Sequence, residues 1–236
     1  RFAFFSKAIL ESIQHIDFMP DVIHCNDWQT GFIPLFLKAL YSNAFNYNNI
    51  KTVFTIHNIE YQGKADPDFM NIVLGIDQSW SGVVMFDGLV NSMKSAIVLA
   101  DKVTTVSRTY SHEINYAYFA HGLENILSEN SYKLTGIVNG IDTKVFNAEK
   151  DTSIPCNFKH SDLSGKAKCK EELQKRLGLE VNPDVPIIAM ITRLVAHKGM
   201  ELVEYVGEEL LWSTNAQFVV LGTGDKRFED YMHYTS

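Results

Sequence analysis

The sequence contains no apolar run long enough to cross a bilayer, which removes a helical membrane anchor from consideration. It has no surplus of positive charge either: 21 Lys and Arg stand against 28 Asp and Glu, for a net charge of −7. A nucleic-acid surface normally needs basic excess, so neither nucleic acid nor membrane is an expected partner. Cysteine is scarce. Cys25, Cys156 and Cys169 are odd in number, widely spaced in sequence and outside any CxxC pattern. That argues against a disulfide framework or a zinc-type site and fits a reducing compartment, the cytoplasm. No secretory signal is recognised, and no G-x-S-x-G elbow supports a serine hydrolase. Internal repeats and low-complexity tracts are also absent.

What is present is an ordinary globular composition, 46% hydrophobic and 21% charged, in 236 residues, enough for one or two domains. Helical spacing of apolar residues covers 2–16, 27–41, 91–100, 109–120, 165–177 and 200–213. Short apolar or β-branched runs at 21–26, 51–57, 102–107, 134–138, 186–192 and 217–221 read as strands. Asn139-Gly140 is a strong turn signal. Strands and helices alternate, and continuous apolar strands indicate parallel sheets buried on both faces. A polar stretch without clear period, 143–164, separates two α/β blocks. The expected organisation is a Rossmann-like block over 1–140, a connection and helix over 141–184, and the first part of a second block over 185–236. The chain starts inside a helical pattern without Met and stops soon after a strand, so both domains are expected to be incomplete parts of a longer protein.

In open α/β sheets ligands bind beyond the carboxyl ends of the strands. Asp27, His57, Asn58, Asn139 and Arg193 all fall there. In Ala189-Met-Ile-Thr-Arg-Leu-Val-Ala-His-Lys-Gly199, a strand delivers Arg193 and then Lys198 to the start of a helix. Cations and free helix N–H groups together make an anion site, most naturally for phosphate. His24-Cys-Asn-Asp-Trp-Gln-Thr-Gly31 reads either as a strand end with Asp27 as helix N-cap or as a polar lip. In the second reading Asp27 accepts sugar hydroxyls and Trp28 offers a flat apolar face. A metal is not expected there, because alternate strand residues face opposite sides. His57 leaves a buried strand among amides and reads either as a partly desolvated pocket residue or as a core histidine bonded to backbone carbonyls. Leu221-Gly-Thr-Gly-Asp225 suits a phosphate-binding turn or simply a tight strand-to-helix turn, and it lacks the third glycine of a dinucleotide fingerprint.

Taken together, Pro20-Asp-Val-Ile-His-Cys-Asn-Asp-Trp-Gln-Thr-Gly31, Val53-Phe-Thr-Ile-His-Asn-Ile-Glu-Tyr-Gln-Gly63, Ala100-Asp-Lys-Val-Thr-Thr-Val-Ser107, Gly136-Ile-Val-Asn-Gly-Ile-Asp142, Thr192-Arg-Leu-Val-Ala-His-Lys-Gly199 and Leu221-Gly-Thr-Gly-Asp225 resemble, in order, the motifs of the bacterial glycogen synthase and plant starch synthase family. The resemblance implies a GT-B fold of two Rossmann-like parallel-sheet domains, the acceptor-side domain over 1–140 and the first part of the nucleotide-sugar donor domain over 185–236. It implies retaining transfer of glucose from ADP-glucose to the non-reducing end of an α-1,4-glucan, without metal or other cofactor. It makes Arg193 and Lys198 ligands of the diphosphate, His57 a residue of the catalytic centre, and Asp27, Trp28, Asn139 and Gly224 substrate-binding residues in the cleft between the domains. Sucrose- or trehalose-type GT-B transferases and a non-catalytic glucan-binding homologue are the competing readings. The family's K-x-G-G-L loop and E-x7-E region are missing, so the chain alone is expected to be inactive. Arg108 replaces a usual proline, and Val195-Ala-His197 replaces a more polar triplet.

Overall fold

The computed structural model describes residues 1–44 and 46–235. The chain divides into two compact units, Arg1–Gly140 and Ile141–Ser236.

In the first unit, helix α1 (Phe2–Ser12) leads to strand β1 (Val22–Asn26), helix α2 (Phe32–Ala39) and strand β2 (Lys51–Ile56). Short strands β3 (Lys64–Ala65), β4 (Met85–Phe86) and β5 (Leu89–Asn91), with helix α3 (Ser81–Val84), come next. Helix α4 (Ser92–Leu99), strand β6 (Lys102–Thr105), helices α5 (Arg108–Glu113), α6 (Ala117–Ala120) and α7 (Glu124–Glu129), and strand β7 (Leu134–Gly136) complete the unit. The main sheet runs β1-β2-β6-β7, parallel throughout, with β1 and β2 pairing from Val22↔Lys51 to Asn26↔Thr55. A small antiparallel sheet, β3-β5-β4, and a π-turn at Met70–Leu74 occupy the stretch to which the sequence assigns no element.

The core lies on one face of the main sheet. Cys25, Phe54, Ile56 and Val103 are buried there with Leu35 and Phe36 of α2 and Met93 and Ile97 of α4. Each such side chain contributes roughly 1.5–3 kcal/mol by leaving water. The opposite face departs from the expectation of two buried faces. Val22, His24, Asn26 and Lys102 are exposed on it, and a polar row joins His24 Nε2 to Thr55 Oγ1 and Thr55 Oγ1 to Thr104 Oγ1, each at 2.6 Å.

Local chemistry sets the helix ends. Asn91 caps α4 by accepting from the Lys94 N–H at 2.9 Å, and Ser107 caps α5 through the Tyr110 N–H at 3.1 Å. Arg108 therefore occupies the first helical position, which suits proline and most other residues alike. Lys133, 5% exposed, donates to the carbonyls of Val98 and Ala100 at the carboxyl end of α4, at 2.8 Å each. The expected helix over 109–120 is broken, because Tyr116 is extended (φ −100°, ψ 142°) between α5 and α6. The turn expected at Asn139-Gly140 does not form, and both residues lie in irregular chain.

In the second unit, turns precede helix α8 (Ser164–Arg176). Strand β8 (Ile187–Ile191), helix α9 (Met200–Ser213), strand β9 (Gln217–Leu221) and helix α10 (Lys226–Tyr234) follow. Strands β8 and β9 pair in parallel from Ile187↔Gln217 to Ile191↔Leu221. Amides tie α8 to this sheet: Gln174, buried, donates to Gln217 Oε1 at 2.8 Å and to the Asn182 carbonyl at 3.0 Å. Leu194, Met200 and Phe228 form the core, with Met190 and Met232 against them. Here too the strands are not buried on both faces. Ile191 and Leu221 are 77% and 66% exposed, because a two-stranded sheet covers little apolar surface.

Candidate active site

The carboxyl edge of the parallel sheet in the first unit collects polar groups from consecutive strand exits. The β1 exit is Asp27. It is not the side-chain N-cap that its position suggests: the main helix starts later, at Phe32, after a 3-10 turn over Trp28–Thr30, and Asp27 makes no capping bond. Its backbone lies at φ 55°, ψ 178°, a conformation that is almost exclusive to glycine and costs on the order of 1–3 kcal/mol. The carboxylate crosses to the next strand exit instead. Oδ1 accepts the His57 N–H at 2.8 Å and the Asn58 N–H at 3.4 Å. The Asp27 amide extends the ladder by donating to the Thr55 carbonyl at 2.9 Å.

His57 follows β2. It is exposed, so the expected desolvation is absent in this chain. Its Nε2 lies 2.9 Å from Asn26 Oδ1. With the amide oriented so, Nε2 is the donor, and Nδ1 is the nitrogen left to accept from a ligand hydroxyl. Sequence reasoning missed Tyr110, just beyond the β6 exit. Burial raises its phenol pKa, a backbone hydrogen bond from Ile59 opposes the rise, and the charges of Asp27 and Glu113 add to it. The signal available was Ser107, an N-cap that begins a helix at a third strand exit.

Trp28 is half-buried. Its ring packs edge-on against Phe2 at 4.8 Å between centroids, and a Cβ on Gly63 would collide with it. Much of the flat face expected for a sugar is thus used in packing. Asn139 is exposed in the irregular chain after β7. Cys25 is buried, and burial pushes its thiol up to about 12, so it is no nucleophile. Among the described residues, no group of three or more His, Cys, Asp or Glu side chains could hold a metal ion.

In the second unit, Arg193 and Lys198 both stand on the loop between β8 and α9. Both are exposed, and neither side chain has an ion pair or hydrogen bond among the described residues. Lys198 ends a 3-10 turn (Ala196–Lys198), and Gly199 at φ 80° turns the chain into α9. The glycine-rich turn after β9 fixes this loop. Parallel pairing continues past the strand ends: Thr192 donates to Leu221 at 3.2 Å, Leu194 to Thr223 at 2.9 Å, and Asp225 to Leu194 at 2.8 Å. A Cβ on Gly222 would collide with the Thr192 carbonyl, and one on Gly224 with the Leu194 carbonyl. In this structure Gly224 permits close backbone approach to the residues flanking Arg193.

A parallel sheet with polar strand exits, followed by a second α/β unit with strand-end cations, is the pattern of the GT-B class, and the chain is an α/β protein of that class. It matches the catalytic domain of starch synthase IV from Arabidopsis thaliana, solved bound to ADP and acarbose, with TM-score 0.89 and 34% identity, over 99% of this chain and 48% of that one. A family model described as starch synthase catalytic domain matches residues 1–129. The chain belongs to the starch synthase catalytic domain family. It is 45% identical to the glycogen synthase of Lactococcus lactis over 100% of its own length and 50% of the relative's. It is also 45% identical to that of Clostridium perfringens, over 98% of this chain and 48% of the relative. The chain thus spans about half the length of the curated relatives it matches.

Proposed function

We propose that this chain works within a retaining glucosyltransferase of glycogen or starch synthesis, moving glucose from ADP-glucose to the non-reducing end of an α-1,4-glucan. The observation that carries the reading is the loop with Arg193 and Lys198, held at the end of a parallel strand by a glycine turn. Two exposed cations on a fixed backbone suit a nucleotide diphosphate, and they neutralise charge that grows as it leaves. Membership of the family, and a solved relative that holds ADP, support the same assignment. Glucan binding alone needs no such clamp.

In the first unit, His57 and Asp27 serve the sugar. The His57 ring, tethered by Asn26, meets a glucose hydroxyl through Nδ1, and Asp27 fixes the His57 backbone. Asn139, Trp28 and Gly224 are assigned to substrate binding, Trp28 and Gly224 mainly by shaping backbone. Two cationic side chains at the diphosphate supply charge stabilisation that a metal provides elsewhere, and no cofactor enters the scheme. Three free thiols fit a cytoplasmic location.

The test uses the full-length protein with glycogen as acceptor and labelled ADP-glucose or UDP-glucose as donor. The expected product carries new α-1,4 linkages, formed faster from ADP-glucose. Transfer to fructose or to a sugar phosphate, or glucan binding without turnover, would overturn the reading.

A further inference from the structure

We propose that Ser92 is a positioning residue that holds Asp27 in its unfavourable backbone conformation and thereby keeps the Asp27 carboxylate on the His57 amide. The inference rests on the reading of Asp27 and His57 as sugar-facing residues. Ser92 opens α4, far from both in sequence, and is fully buried.

An N-terminal serine hydroxyl would ordinarily turn back to its own helix. Here capping is already done by Asn91, and Ser92 Oγ donates to the Trp28 carbonyl at 2.7 Å. That carbonyl belongs to the residue directly after Asp27, in the Trp28–Gln29 peptide. The Ser92 N–H donates to the Gly63 carbonyl at 3.3 Å. A Cβ on Gly31 would sit 2.6 Å from both the Ser92 carbonyl oxygen and Oγ, and one on Gly63 would sit 3.1 Å from Ser92 Cβ. One buried residue therefore bonds the residue after Asp27 through its hydroxyl and the glycine that ends the His57 segment through its amide, and it occupies the space that a side chain on Gly31 would need.

The consequence follows from how strain persists. A residue at φ 55°, ψ 178° relaxes unless its neighbours are over-determined. The Thr30 N–H, which donates to the Asp27 carbonyl at 3.1 Å, and the ladder bond from the Asp27 amide hold the turn from the sheet side. Ser92 holds it from the helix side, with a hydroxyl in a space that glycines at 31 and 63 leave open. Replacing Ser92 by alanine leaves the Trp28 carbonyl with one donor, the Gly31 N–H at 3.1 Å within the same turn, and removes its tie to α4, so that the turn can relax and withdraw the carboxylate from His57.

The test is Ser92→Ala in the full-length enzyme, read first by amide hydrogen exchange. Exchange at the His57 and Asn58 amides should rise about tenfold, with the β2 amides unchanged. Turnover should fall roughly tenfold while KM for the nucleotide sugar stays within about twofold, because the diphosphate ligands lie elsewhere. Ser92→Cys keeps a group of similar size and a weaker donor, and should give intermediate exchange. It also serves if the alanine variant fails to fold. Unchanged exchange at His57, or an equal rise across β2 and His57, overturns the proposal in favour of a purely structural serine. Selective loss of His57 protection with undiminished turnover supports the clamp and instead overturns the assignment of Asp27 and His57 to the reaction.

Discussion

The carboxylate of Asp27 accepts the backbone N–H of His57 at 2.8 Å, so the side chain of one strand exit fixes the main chain of the next. Two opposing terms then act at residue 27. The hydrogen bond stabilises by roughly 1–2 kcal/mol and the backbone conformation costs a similar amount. Asp27→Ala keeps the strain and loses the bond, whereas Asp27→Gly loses the bond and relieves the strain. Thermal denaturation of the first unit's transition should therefore place the glycine variant above the alanine variant. The reverse order would mean that residue 27 is not strained.

Arg193 and Lys198 should behave differently from His57. In the full-length enzyme, Lys198→Ala should lower kcat on the order of a hundredfold, the size of a lost transition-state charge contact, and weaken ADP binding. His57→Ala should lower kcat while ADP affinity, measured by calorimetry, stays nearly intact. Equal loss of ADP affinity and turnover in the histidine variant would make His57 structural.

Gly224→Ala should damage donor binding although alanine adds no charge and removes none. Its Cβ would collide with the Leu194 carbonyl, so the loop must move. Strain of about 1–3 kcal/mol is expected in stability, with a larger loss in ADP affinity than at a comparable glycine outside the loop. Gly140, whose Cβ would meet open space, is the control.

Lys133 makes stability depend on alkaline pH. Burial first and the positive charge of Lys38 second, against the opposing charge of Asp101, lower its pKa to about 8. In the unfolded chain the value returns to about 10.4. Between these values the folded state binds fewer protons, so this group's contribution to stability rises with pH from about 8 to about 10.4. Lys94, also lowered chiefly by burial, acts in the same direction. Urea midpoints at intervals across this range should show a smaller rise for Lys133→Met than for the unaltered protein.

Legibility in the sequence followed length and period. The strand read at 51–57 and the helix read at 200–213 correspond to Lys51–Ile56 and Met200–Ser213, since sustained patterns leave little choice. The pieces between residues 64 and 91 are strands of two or three residues and a π-turn, too short for any period to show. The break at Tyr116 interrupts a pattern that stays apolar on both sides. Within the candidate site, strand-exit placement was readable because it follows from element order. The Asp27–His57 bond, the Tyr110 neighbourhood and the reason for Gly224 were not, since each depends on approach between segments distant in sequence. The sign of φ at Asp27 has no compositional signature.

Leu194 lies immediately after Arg193 and is one of the few side chains that fill the core of the second unit. One peptide bond thus joins the part of the loop that faces solvent to the part that closes the fold. A ligand that immobilises the guanidinium also immobilises the backbone that seats Leu194, and occupancy and folding become thermodynamically linked. On the proposed assignment of Arg193 to the donor diphosphate, donor concentration would then act as a thermostat for this unit, loosest when nucleotide sugar is scarce and firmest when it is abundant.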